Sequence, residues 1–169
     1  MVHWKKFFLV FFLVSIFSAI VYITTYKPYL GCDDAYIYFV YVKNFTHGYG
    51  FVYNPGGEHV EGFTSLLWVL ITSLVYLISS HFQVLLIILN IILVSFALYK
   101  LVVFIDKYFV INPPKIISVN SLLFLCILFI IKGYLDWSVF SLLETGLWSC
   151  LLILLSVYLL EVAAGENKN

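Results

Sequence analysis

Long apolar runs broken by one polar stretch set the plan of this chain. Residues 7–25 are apolar for about 19 positions, enough to cross a ~30 Å hydrocarbon layer as helix. Lys27-Pro28 ends that helix, because proline disfavours helix in the residue before it. Asp33 or Asp34 then starts a second helix, where a carboxylate meets unpaired N–H groups and the positive dipole end. That helix runs to about Phe45 and is too short to span. Ile37, Tyr38, Tyr41 and Phe45 share one of its faces, which predicts a helix lying in the interface. Residues 47–50 and 54–57 are turn signals around a short extended piece at 51–53, with glycines supplying positive φ. Residues 63–80 are apolar but interrupted by Thr64, Ser65, Thr72, Ser73, Ser79 and Ser80. Clearer spans follow at 85–105 and 116–131, and a last apolar block covers 147–160.

Charge settles the ambiguous 63–80 segment. If it crossed, Lys100, Lys107 and Lys115 would all lie outside, against the positive-inside rule. If it lies along the outer surface, those lysines join Lys5 and Lys6 in the cytoplasm. Asp136 and Glu144 then share a side with Asp33 and Asp34. The expectation is an all-α polytopic membrane protein with about four spans, near 7–25, 83–105, 116–134 and 146–161. Two interfacial helices occupy a first extracytoplasmic loop at about 27–81. The first run reads as an uncleaved anchor, being longer than a signal-peptide core and followed by no small-residue cleavage site.

Composition agrees. The chain is 63% hydrophobic and 11% charged, where a soluble domain carries about 25% charged residues. Zero net charge gives no reason to expect a nucleic-acid partner. All nine basic residues are lysines, so any phosphate contact comes from an ammonium, a histidine or backbone N–H groups rather than a guanidinium fork. Cys32, Cys126 and Cys150 have no metal spacing and make a disulfide framework unlikely. Asn44-Phe-Thr46 matches a glycosylation sequon, a pattern short enough to arise by chance.

The candidate chemistry is acidic. Asp33 and Asp34 sit at the edge of a low-dielectric region, where charges default to functional hypotheses; helix capping would explain one of them. Glu144, in residues 141–145, is either an acid at a helix N-terminus or a partner to those aspartates. Lys43, His47 and His59 are candidates for an anionic headgroup or phosphate, or else solvated loop residues. Glu58 and Glu61 frame the glycine-rich turn.

Residues 33–68, DDAYIYFVYVKNFTHGYGFVYNPGGEHVEGFTSLLW, resemble the first extracytoplasmic loop of GT-C glycosyltransferases. In particular they are similar to the polyprenyl-phosphate-sugar-dependent group that includes the actinobacterial terminal arabinofuranosyltransferases. Asn54, Pro55, Gly56, Glu61, Gly62, Thr64 and Trp68 are in register with that group. Ser141-Leu-Leu-Glu-Thr145 resembles, more weakly, the family's S-G-L-E-T before the fourth span. This chain departs at Val40 and Lys43, where the family has arginines, at Ser65 for asparagine and at Leu142 for glycine.

The resemblance implies a bacterial inner-membrane enzyme, matched only in its N-terminal part. It would take a sugar from a polyprenyl-phosphate donor and pass it to an extracytoplasmic glycan or lipid acceptor. Asp34, or Asp33, would be the general base of an inverting attack. Glu144, Lys43, His47, His59 and Glu61 would contact substrate. A divalent metal at Asp34 and Glu144 is one option the resemblance carries, though two carboxylates are a weak metal signal. A second chain is one source of the family's remaining helices. The alternative is a non-catalytic membrane module that binds a lipid-linked sugar or a partner subunit.

Overall fold

The computed structural model describes residues 2–26, 30–58, 60, 62–112, 114, 116–131 and 133–166. Six α-helices account for most of them, and no strand occurs among the described residues. They are α1 (Val2–Val21), α2 (Asp33–Thr46), α3 (Leu66–Ile78), α4 (Phe82–Tyr108), α5 (Val119–Ile130) and α6 (Thr145–Glu166). Wider π-helical turns continue α1 over Tyr22–Tyr26 and precede α6 at Asp136–Phe140.

Three helical stretches are long and apolar enough to cross a membrane: Trp4–Thr25, Phe82–Tyr108 and Thr145–Gly165. The other two apolar helices, α3 with 13 residues and α5 with 12, reach only about 18–20 Å at 1.5 Å per residue.

One rule of spacing explains how the long helices pack. Lys6, Val10, Val14 and Ser18 are the buried positions of α1, four residues apart. On α4 the stripe runs through Leu86, Asn90, Val94, Leu98, Val102 and Asp106, and on α5 through Ser121, Leu125 and Phe129. Side chains i and i+4 stack on one helical face, so these stripes are ridges that fit neighbouring grooves. Val10, Val14, Val94, Leu98, Leu125 and Phe129 meet in one core, closed by Leu135, Val139 and Phe140.

Polar contacts fix the helix directions. Near the start of α1, Lys6 forms a buried ion pair with Asp106 near the end of α4. Asp106 also accepts from the Ser118 N–H (3.3 Å) and the Ser121 hydroxyl (2.7 Å) at the start of α5. Lys107 pairs with Glu161 of α6 across 3.6 Å. Helices α1 and α5 therefore run one way, and α4 and α6 the other. The opposite end of the bundle carries the described residues of 30–68 and 131–144.

There α2 and α3 build a second core with the start of α4: Ala35, Tyr38, Phe39 and Val42 pack with Trp68, Val69, Leu86 and Leu142. Helix α2 begins at Asp33, and both aspartates occupy its first turn. Of the 37/38/41/45 face expected to lie in the interface, Tyr38 and Tyr41 are buried within the protein, while Ile37 is exposed. The reason is α3, which takes the 35/38/39/42 face at helical spacing. The Asn44 amide clamps the following loop, donating to the carbonyls of Val52 (2.8 Å) and Tyr53 (2.9 Å). Asn44 is buried in that role, which leaves its sequon inaccessible. Gly48, Gly50 and Gly56 adopt positive φ, the turn geometry expected of them.

Candidate functional site

Three segments distant in sequence converge above this second core. The Cys32 N–H, just before α2, donates to the Ser141 carbonyl at 3.2 Å. The Trp68 indole N–H, in the first turn of α3, donates to the Leu142 carbonyl at 2.9 Å. Ser65 caps α3, its hydroxyl accepting from the Trp68 N–H at 3.3 Å. The turn at 141–144 is thereby pinned against the starts of both short helices.

Leu142 carries the strain of that turn. Its φ of +59° is the only left-handed value at a non-glycine residue among those described. Such a conformation costs roughly 1–2 kcal/mol for an L-residue. The side chain is fully buried in the second core, which offsets the cost.

Beyond the turn, Glu144 and Asp34 line one pocket of about 200 Å³ with Tyr38, Gly62, Phe63 and Thr64. A directed hydrogen-bond chain runs along its wall. The N–H groups of Thr64 (3.0 Å) and Ser65 (3.2 Å) donate to the Tyr38 oxygen. Thr64 Oγ1 donates to Glu144 Oε1 at 2.6 Å, so the Tyr38 hydroxyl must donate to Thr64 Oγ1, 2.7 Å away. Every proton in the chain has one direction available. Glu144 Oε2 is buried and has no hydrogen-bond partner, an arrangement that costs free energy unless a donor or cation meets it.

The expected site residues separate into groups. Asp34 and Glu144 share the pocket, whereas Asp33 does not line it; both aspartates are exposed. Lys43 lies in the last turn of α2, about 14 Å along the helix axis from Asp34. His47 caps that same far end, its Nδ1 donating to the Lys43 carbonyl at 2.7 Å. Neither residue lines the pocket. His59 and Glu61 lie outside the described residues.

Among the described residues no group of three or more His, Cys, Asp or Glu side chains is placed to hold a metal. Asp34 and Glu144 alone fall short of the oxygen-rich shells that hard divalent cations take.

Tyr38 and Thr64 are the residues that sequence patterning does not single out as chemical. Tyr38 reads as an aromatic on a helix face, and Thr64 as one hydroxyl among several. Only the register of Thr64 in the family-like motif marks it. The chain matches no family model, no curated protein and no solved structure.

Proposed function

We propose that the chain is part of a membrane glycosyltransferase of the GT-C type, working on the side of the membrane that carries residues 30–68. It takes a sugar from a polyprenyl-phosphate donor and passes it to an extracytoplasmic glycan or lipid acceptor in a bacterial inner membrane. The observation that carries this reading is the shared pocket of Asp34 and Glu144. Those two residues belong to the two motifs that resemble the family, and they lie 110 positions apart in sequence. The alternating directions of α1, α4, α5 and α6 support a reading with four crossings. Helix α5 is short, and in this reading its crossing covers about 116–134. Helices α2 and α3 lie at the interface.

In this reading Asp34 is the general base. It draws the proton from an acceptor hydroxyl, whose oxygen attacks the anomeric carbon as the bond to the phosphate oxygen breaks, inverting the centre. The Tyr38–Thr64 chain holds Glu144 in place, and the open oxygen of Glu144 receives a hydroxyl of the sugar or acceptor. A pocket of about 200 Å³ is below the roughly 300–1,000 Å³ of whole-ligand sites, so it holds the reacting ring and not the lipid. The cation that meets the departing phosphate is not Lys43, given its place on α2.

The test is transfer of labelled sugar from polyprenyl-phosphate donors in membranes carrying the wild-type chain or Asp34→Asn. Loss of a general base lowers the rate by about 10²–10⁴-fold. Undiminished transfer by Asp34→Asn removes Asp34 from the role of base. Binding of lipid-linked sugar without any transfer by the wild type favours the non-catalytic module.

A further inference from the structure

Breaks in regular helix meet at the end of the bundle that carries Glu144. Helix α1 widens into π-helical turns at Tyr22–Tyr26, and α5 ends at Ile130. Gly133 takes a φ of +103°, and the second π-helical turn starts on Asp136. Thr24, Thr25, Ile130, Ile131, Gly133 and Asp136 line a pocket of about 250 Å³ there. It shares no lining residue with the Asp34 pocket. Irregular backbone at membrane depth is tolerated where it is buried in protein or lines an aqueous cavity, and single π-helical turns recur at functional sites.

Of the described residues lining this pocket, Asp136 alone is charged, and it is half-buried. Its Oδ1 is buried and has no hydrogen-bond partner, a state that costs free energy until a donor or cation meets it. Thr24 and Thr25 close the Trp4–Thr25 stretch that is long and apolar enough to cross a membrane. The carboxylate therefore stands at the edge of the hydrocarbon, where an unmatched charge is costly and functional by default. Neutral oxygens surround it. Thr24 Oγ1 gives its proton to the Ile20 carbonyl at 2.9 Å, which leaves its lone pairs for a ligand. Thr25 Oγ1 lies 3.5 Å from Thr24 Oγ1. Ile130 closes α5, where the last carbonyls lack helical partners and the dipole end is negative.

We propose that this pocket binds a monovalent metal cation of the sodium class. The ion rests on Asp136 Oδ1, with the two threonine hydroxyls and carbonyls from the end of α5 as neutral ligands. Water completes the shell, since the pocket has room for several molecules at about 30 Å³ each. One positive charge cancels one carboxylate. A divalent ion would leave a positive charge uncompensated beside Val21, Phe129 and Leu135, and the described lining offers no second carboxylate to offset it. Unwound backbone and helix C-termini hold monovalent ions in other broken-helix membrane sites. The bound ion braces the end of α1 against the junction between α5 and the turn that carries Glu144. The site does not depend on the sugar-transfer reading.

The test is thermal unfolding of the full chain in detergent micelles, in sodium chloride or in choline chloride at equal ionic strength, so that screening is matched. Sodium should raise the midpoint saturably, as a ligand of the native state does, and choline should not. Asp136→Asn, close in shape, should lose the sodium rise. Thr24→Val should need more sodium to reach half of it. Equal midpoints in the two salts overturn the proposal, as does a sodium rise that Asp136→Asn keeps. Calcium or magnesium acting at lower concentration than sodium, through Asp136, overturns the choice of a monovalent ion. Lys27 and Lys132 lie outside the described residues. A sodium rise that emerges only in Lys27→Gln or Lys132→Gln gives the pocket to a lysine of this chain and overturns the proposal too. If Asp136→Asn fails to fold, Thr24→Val and the sodium–choline comparison decide.

Discussion

Gly146 shows how much one missing side chain can decide. A Cβ there would lie 2.2 Å from the Ser138 carbonyl oxygen and 3.0 Å from Asn90 Oδ1, backbone and buried side chain that have no room to yield. Gly146→Ala should therefore lower stability by about 1–3 kcal/mol or more, as overpacking does. Gly165→Ala, with open space around it, should be neutral or raise stability by about 0.4–1 kcal/mol. Thermal unfolding in detergent distinguishes the two. Leu142 makes the opposite point. Its φ is positive, the conformation that glycine adopts without strain. Substituting glycine here would relieve about 1–2 kcal/mol of strain but remove a buried leucine worth about 2–5 kcal/mol, so packing wins. No pattern in the sequence marks Leu142 as left-handed, because the conformation is imposed by the Cys32 and Trp68 hydrogen bonds to its turn.

At the scale of the helix, the four-residue stripes carry both the fold and its least expected feature. The three long apolar helices and the start of α2 at Asp33 were legible because composition and dipole arguments act locally. Asp106 was not singled out, standing one residue beyond the expected 83–105 span. Yet it stands in phase with Leu86, Asn90, Val94, Leu98 and Val102, and counting by four would have placed it inside. Breaking a buried pair leaves an uncompensated charge, typically costing about 3–5 kcal/mol, whereas replacing both partners by apolar residues is often neutral. Lys6→Met alone and Asp106→Leu alone should each destabilise the bundle strongly. The double variant should recover most of the loss, read from unfolding in mixed micelles. Equal effects of single and double variants would deny the pair its role.

For the molecule as a whole, the long-range contacts were out of reach of the sequence. The approach of Thr64 to Glu144 and of Trp68 to Leu142 depends on how two short helices pack on the end of a bundle, and neither motif alone specifies that. The crossing pattern is testable with single cysteines in a chain whose Cys32, Cys126 and Cys150 have been replaced. Impermeant maleimide should reach Tyr53→Cys and Trp137→Cys from one side of the membrane and Asn112→Cys from the other. Labelling of Tyr53→Cys and Asn112→Cys from the same side would mean that α3 crosses as well. The Lys6–Asp106 pair has one more consequence, which lies in time. Synthesis delivers Lys6 first, and its counter-charge follows 100 residues later. Until then the first helix holds a lone ammonium that stays near the aqueous boundary. The inward seat of α1 is therefore completed only when α4 arrives, and assembly of the bundle is ordered by the wait of one charge for the other.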